Sequence, residues 1–423
     1  MSHATHPPPP SLRTRPWWHW LLGLLLAAAL VAVAIGRAGH QRPGTDFWVF
    51  WTAGSDFAHG RPLYGPGVDS RTFIYPPFAA QVFQIFSLFP LKVAAGLFYV
   101  VSVCLWGLAA WLSRDIVRTL LPGVQPRTLP LVLALILSAQ FVLNNLNLLQ
   151  MNLVTFVLSL LGVRGLVQGR PRAVGWLVVA AWMKITPVFL VLWGVVRGGR
   201  RAFMTAAAVT VVCLLLPILQ RGPTLGPADS SAYYHTFLGQ FASGKVVTTY
   251  TNQNLAALVY RAVSPSDRAD RYRYDYLPSL QPFAASLYHG LVGLVLAAFV
   301  VRLAWLTWSR ARVTPLEIAG VFLTSHLVSG ITWKAHLVTM LFVFYAFLSV
   351  DWWALGPARR WILWVAWLGI GVMGLVGRDV FGEAVHRYMG GFSVFAWVML
   401  WLWVSSASLE PPAPSAATAS PSA

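Results

Sequence analysis

Apolar residues in this chain come in long runs separated by short polar clusters, with no sustained strand-like alternation. A helix rising 1.5 Å per residue needs about 20 apolar residues to cross roughly 30 Å of hydrocarbon. Trp17 to Gly36 supplies such a run at once. It has the look of a secretory leader, but no small-residue cleavage site follows it and equally apolar runs do, so it is read as a first membrane helix kept in the protein. The pattern predicts full crossings at about 17–36, 92–112, 128–143, 150–166, 202–219, 283–305, 315–331, 336–350, 361–377 and 391–406. Residues 173–196 break the series, because Arg172 and Arg197 flank them and Lys184, Thr186 and Pro187 interrupt their middle. Each half, about 11 residues long, is too short to cross. Proline also lacks the donor a continuous helix needs, so the expectation is a re-entrant helix pair bent at Lys184 to Pro187.

Composition agrees with this reading. Of 423 residues, 57% are hydrophobic and 10% charged, against about 25% charged in soluble domains, and the mean hydropathy is +0.63. A formal net charge of +18 would suggest nucleic acid in a soluble protein. Here the cations cluster between apolar runs, at Arg13/Arg15, Arg114/Arg118/Arg127, Arg164/Arg170/Arg172, Arg197/Arg200/Arg201, Arg302/Arg310/Arg312 and Arg359/Arg360. The positive-inside rule assigns these loops to the cytoplasm, the crossings then alternate without contradiction, and both termini fall inside. The expected protein is an all-α polytopic membrane protein of a bacterial-type inner membrane, surrounded by membrane lipids and without a nucleic-acid partner. It has about ten full crossings, a short re-entrant pair, and two long outside segments, 37–91 and 220–282. Residues 1–16 and 407–423 are expected as disordered cytoplasmic tails, leaving 17–406 as one membrane domain. Cys104 and Cys213 lie in apolar runs and suggest packing rather than a disulfide or zinc. No internal repeat supports a transporter built from two similar halves.

Several polar residues stand out against this background. Asp46, in Thr45-Asp46-Phe47-Trp48, is a carboxylate among aromatics close to the membrane exit. It suits a general base, or it caps the helix that starts near Phe47. Asp56 and Asp69 lie among turn formers. The amides from Asn144 to Asn152, including Gln150 and Asn152, can pair with sugar hydroxyls or terminate helices. Lys184 in an apolar hairpin would cost about 2.5–3.5 kcal/mol at full depth; it snorkels to the interface, meets a phosphate, or shapes the bend. Lys245, Asn252, Gln253, Asn254 and Arg261 combine amides and cations beside Leu255 to Val263, which has amphipathic helical spacing. They suit lipid headgroups or a phosphate. Thr332-Trp333-Lys334-Ala335-His336 gathers two basic side chains at an outside turn. No P-loop, zinc spacing or nucleophile elbow is present.

Taken in order, Thr45-Asp46-Phe47, Gly60-Arg61-Pro62-Leu63-Tyr64, Tyr75-Pro76-Pro77-Phe78, Gln150-Met151-Asn152-Leu153, Lys184-Ile185-Thr186-Pro187 and Asn252-Gln253-Asn254-Leu255 resemble glycosyltransferase family 87. The resemblance implies a GT-C-like helical bundle that moves a sugar from a polyprenyl-phosphate donor to a lipid or glycan acceptor on the outer face, with inversion. Well-understood members look like mannosyltransferases. It implies Asp46 as general base; the candidates for the donor phosphate are His336, Lys334 and Arg261, and those for substrate binding are Tyr75, Gln150, Asn152, Lys184, Asn252 and Asn254. Members often show Ser-Trp followed by a segment ending in two histidines; here Ala335 stands where the first would be, and His336 matches the second. Phosphate is already a competent leaving group, so no cofactor is expected and a metal is optional. The rival reading is a transporter or flippase of a lipid-linked glycan precursor, and a third is a noncatalytic scaffold.

Overall fold

The structure, a computed structural model, describes residues 17–65, 73–121, 128–238, 247–263 and 278–409. Among the described residues every regular element is helical. The long helices are α1 (Trp17–Gly39), α4 (Leu91–Leu120), α5 (Thr128–Leu148), α6 (Asn152–Val167), α8 (Val188–Tyr233) and α10 (Ala284–Trp308). Shorter ones are α2 (Asp46–Ala58), α3 (Pro77–Ser87), α7 (Val174–Met183), α9 (Leu255–Val263), α11 (Pro315–Val328), α12 (Met340–Leu348), α13 (Pro357–Leu375), α14 (Arg378–Gly391) and α15 (Val394–Ser408).

Helices stand at all ten stretches read as crossings. By length and composition, four helices among the described residues are long and apolar enough to cross, or five if α13 and the bent segment after it count as one. The others, such as α6 and α11, are apolar but shorter. Large apolar side chains such as Trp111, Leu219, Trp305 and Trp361 are exposed on the outside, as a hydrocarbon solvent permits. Both cysteines are free thiols.

The segment that resisted a simple crossing is two helices. α7 ends at Met183, Lys184 is extended (φ −157°, ψ 127°), and α8 starts after Pro187. α8 itself is broken at Gly199 (φ 64°) and Gly222 (φ 80°), left-handed conformations that a glycine adopts without a Cβ clash. Small residues let these pieces pack tightly against α6: a Cβ on Gly162 would sit 2.5 Å from the Leu177 side chain, and one on Gly194 would sit 2.8 Å from it.

The described parts of the two long segments read as lying outside, 37–91 and 220–282, are largely helical as well. In the first, α2 and α3 bury aromatic faces on each other and on α4, with Phe50 stacked on Phe83 (4.9 Å) and Phe47 on Phe98 (5.2 Å). Gly54 makes the α2–α3 contact possible, since a Cβ there would lie 2.6 Å from the Phe83 backbone. The second contains the last piece of α8 and α9. An ion pair within the second segment is bonded to the first: Arg221 contacts Asp229 at 2.5 Å and donates to the carbonyls of Asp56, Phe57 and Arg61, which closes the C-terminal end of α2. Asp229 in turn accepts from the Leu63 amide at 3.2 Å. α15 runs to Ser408, into the first residues of the expected C-terminal tail. Residues 1–16 and 410–423, with Asp69 and Lys245, lie outside the described residues.

Candidate active site

Asp46 is the first residue of α2. Thr45 is the N-cap, yet its hydroxyl turns back to Gln41 and the Arg42 carbonyl and caps nothing. The Asp46 carboxylate does not cap the helix either. Its Oδ2 accepts from Gln150 Nε2 at 2.6 Å, across a hundred residues of sequence, and Oδ1 makes no hydrogen bond among the described residues. Of the two readings of Asp46, the cap is therefore the one the geometry does not use.

Gln150 reaches Asp46 because α5 ends in a tight reversal. Leu149 adopts φ 52°, a left-handed conformation that usually belongs to glycine after a helix. The Gln150 amide then bonds back to the Asn145 carbonyl, and Asn145 Nδ2 donates to the Gln150 carbonyl at 3.1 Å. Complete burial of the Leu149 side chain offsets a conformational cost of about 1–2 kcal/mol. The Tyr75 hydroxyl donates to Gln150 Oε1 at 3.4 Å. Burial first, and then the negative charge of Asp46, push that hydroxyl above its usual range, so it stays protonated.

Lys184 completes this group at the break between α7 and α8. It is only 8% exposed. Its ammonium donates to Asn152 Oδ1 at 2.6 Å and lies 5.8 Å from the centre of the Tyr75 ring, so a buried cation meets both an acceptor and a π face. Asn152 Nδ2 donates to Asn145 Oδ1 and to the Ala335 carbonyl. That last bond ties the group to the 3-10 turn Lys334–Thr339. His336 on this turn stacks on Trp333 at 6.1 Å, with Nδ1 facing the Trp333 amide (3.3 Å) and the Ile331 carbonyl (3.1 Å). Its Nε2 makes no hydrogen bond among the described residues.

These residues surround a cavity of about 260 Å³, whose walls include Tyr75, Gln150, Lys184, Trp333 and His336, with apolar lining from Ile185, Val188 and Phe189. Asp46 is not on the wall itself; it stands one hydrogen bond behind Gln150. A smaller space of about 30 Å³ adjoins the cavity, sharing Lys184, Thr186, Ser325 and His336 and adding Asn152 and His326. His326 is buried, bonds Thr339 through Nε2 at 2.6 Å, and has no partner for Nδ1. Chemically, the assembly offers a buried ammonium and an imidazole beside a space lined by apolar and aromatic side chains, with a carboxylate one hydrogen bond behind its wall. That is the equipment to deprotonate a hydroxyl and to receive a departing anion.

The remaining sequence candidates are elsewhere or otherwise engaged. Lys334 lines a different cavity, with Tyr250, Gln253 and His386. Arg261 is 4% exposed and donates to the carbonyls of Thr249 (2.5 Å) and Asn252 (2.7 Å) and to Ser393 Oγ (2.5 Å). Asn252 is fully buried; its Oδ1 accepts from the Thr332 amide and its Nδ2 donates to the Val247 carbonyl. Asn254 donates to the carbonyls of Ser329 and Gly330, and its Oδ1 accepts from the Ala257 amide as the cap of α9. Both amides therefore fasten residues 329–332, part of which lines the main cavity. The sequence marks Asn145 only as one amide of the run from Asn144 to Asn152, and it does not mark His326. A histidine inside the apolar run 315–331 is the signal that could have found the second, since ionisable residues in such runs are functional candidates.

Residues 73–330 match the model of glycosyltransferase family 87. The chain is 27% identical over 351 residues to the polyprenol-phosphate-mannose-dependent alpha-(1-2)-phosphatidylinositol mannoside mannosyltransferase of Mycobacterium tuberculosis (strain ATCC 25618 / H37Rv), covering 76% of this chain and 74% of that protein. No solved structure matches. The family match covers more than half of the chain and contains Tyr75, Gln150 and Lys184 from the cavity and Asn152 from the adjoining space, together with Asn252 and Asn254. The chain belongs to glycosyltransferase family 87, and it is a membrane glycosyltransferase.

Proposed function

We propose that this enzyme transfers mannose from polyprenyl-phosphate mannose to a hydroxyl of a lipid or glycan acceptor, on the outer face of the membrane and with inversion at the anomeric carbon. The donor reading rests on the mycobacterial relative, whose name specifies polyprenol-phosphate mannose. The observation that carries the mechanism is that one cavity joins Gln150, which holds Asp46, to Lys184 and His336. Asp46 is the general base. Gln150 orients its Oδ2, and Oδ1 takes the proton of the acceptor hydroxyl as that oxygen bonds to the anomeric carbon. The bond from this carbon to the phosphate oxygen breaks, and its electron pair leaves with the polyprenyl phosphate.

Lys184 holds the donor phosphate with its charge and His336 through Nε2–H as a hydrogen-bond donor, and both stabilise the growing charge; groups fixed in a site shielded from water are effective here because they need no reorganisation. We assign this role to them rather than to Lys334, which lines another cavity, or to Arg261, whose guanidinium is bonded to carbonyls. Tyr75 and Asn152 position Lys184. Asn252 and Asn254 act on substrate indirectly, through the segment they fasten.

The same proposal includes the topology: ten crossings within 17–406, α7 and the first piece of α8 as a re-entrant pair, and both termini in the cytoplasm. The loop arginines support it. The test is to incubate the purified protein with a panel of polyprenyl-phosphate sugars and membrane lipid extract and to search for mass increments. A hexose increment that appears only with the mannose donor, and is lost in Asp46→Asn, is the expected result. A pentose increment would replace the sugar. Lipid movement across a bilayer with no donor consumed would replace the reaction by transport.

A further inference from the structure

The cavity that contains Lys334 is separate from the one assigned to catalysis and measures about 40 Å³, several times the roughly 10–15 Å³ that one water occupies on this measure. The 3-10 turn beginning at Lys334 and the residue before it form a shared wall: Trp333 and His336 line the catalytic side, Lys334 the other. Around the second cavity stand Tyr250, Gln253, Lys334, His386 and Met389. Gln253 is 4% exposed, and its Nε2 donates to the carbonyls of Tyr250 and Gly390, while its Oε1, an obligate acceptor, has no partner. A buried acceptor without a donor marks a place for a hydroxyl. His386 meets the Tyr250 ring edge-on at 6.0 Å, and Arg387 lies 5.9 Å from the centre of the same ring.

The helix that brings His386 here is laid across the end of its neighbour. α14 departs from α13 by 117°, measured on Val380–Gly391. Beyond a break at Gly382 (φ 79°) it exposes Val385, Tyr388 and Phe392 at i, i+3 and i+7, with Phe381 exposed just before the break. Its other positions include Glu383, shared by Arg378 and Arg387 at 2.7 Å each. An apolar stripe beside charged groups on a helix turned sideways is the form that lies in a bilayer interface, at the depth of lipid phosphates.

We propose that the second cavity binds the headgroup of an anionic phospholipid that carries hydroxyls, with Lys334 and His386 on the phosphodiester and Gln253 Oε1 accepting from a headgroup hydroxyl. Because the turn carrying Lys334 also carries Trp333 and His336, the bound lipid braces the wall of the catalytic cavity. The site rests on the membrane reading and not on the transfer reaction, so it is tested by binding alone, without donor.

The full chain is reconstituted in nanodiscs of phosphatidylcholine mixed with phosphatidylglycerol, phosphatidylinositol or phosphatidic acid, and the lipid retained by the protein is counted by native mass spectrometry. Wild type is expected to enrich phosphatidylglycerol and phosphatidylinositol over phosphatidylcholine about fivefold, the scale of one basic residue at a membrane surface. Phosphatidic acid, whose headgroup lacks the hydroxyls, should be enriched less. Lys334→Gln should abolish the enrichment, whereas Lys334→Arg, and Arg118→Gln on exposed surface elsewhere, should keep it. Equal enrichment in wild type and Lys334→Gln would overturn the site, as would an equal loss in Arg118→Gln. Retention of phosphatidic acid equal to that of the other two lipids would overturn the role of Gln253, and displacement of the lipid by millimolar inorganic phosphate would make the occupant a free anion.

Discussion

Two polar regions of this protein are built from the same residue types and use them in opposite ways. Around the main cavity, Asp46, Gln150, Asn152 and Lys184 bond largely side chain to side chain, and Asp46 Oδ1, one hydrogen bond behind the wall, and the Nε2 of His336, a wall residue, make no hydrogen bond among the described residues. In the segment Asn252 to Arg261, the amides and the guanidinium bond mainly to backbone groups. A side chain committed to carbonyls fixes a loop; one bonded to other side chains, with atoms to spare, can be used by a substrate. The difference lies in the partners, and it predicts that the first region controls rate and the second stability.

The largest effect should come from Asp46→Asn, which keeps a hydrogen-bonding side chain for Gln150 but removes the proton acceptor. Turnover should fall about 10²–10⁴-fold with an unchanged melting temperature. A variant that lost its fold in step with its activity would move Asp46 into the structural class. Next comes Lys184→Met, for which the loss of one fixed charge at a developing anion predicts about 10²–10³-fold, read as kcat against donor. Arg261→Ala should do the reverse: removing a buried guanidinium that satisfies several carbonyls should cost about 3 kcal/mol of stability, while activity per folded molecule, measured below the unfolding transition, stays within a few-fold. A folded Arg261→Ala protein with activity as low as Lys184→Met would erase the distinction.

Much of this organisation was legible in the sequence because membrane solvation is strict. An apolar run has to become a helix, and a Lys184-Ile185-Thr186-Pro187 interruption has to become a break, so the helices and the bend follow from the residues. Asp46 stood out as a candidate because a lone carboxylate among aromatics is unusual. Lys334 shows the limit. Its neighbours Trp333 and His336 line one cavity and Lys334 another, and a short 3-10 turn carries no periodicity from which to read that division. Asn252 and Asn254 show a second limit, since an amide announces polarity but not its partner, and those partners lie some 75 to 80 residues away. Leu149 shows a third: nothing about a leucine signals a left-handed turn, yet that turn aims Gln150 at Asp46.

The two smallest effects separate holding a base from touching a substrate. Gln150→Leu removes the 2.6 Å bond to Asp46 Oδ2. Hydrogen bonds to charged groups contribute about 1.5–3 kcal/mol, so a loss of at least tenfold in rate is expected. Tyr75→Phe removes only a 3.4 Å contact at the edge of hydrogen-bond geometry and leaves the ring beside Lys184 in place. The expected loss is less than about threefold, close to the lower end for a neutral bond. If the Tyr75 hydroxyl served only to brace Gln150, the double variant Tyr75→Phe/Gln150→Leu should be no worse than Gln150→Leu alone, because the second change removes what the first was bracing. A double variant showing the full product of the two losses would mean that Tyr75 acts on the substrate directly. The first region would then hold one more residue whose hydroxyl, like Asp46 Oδ1, serves the reaction rather than the fold.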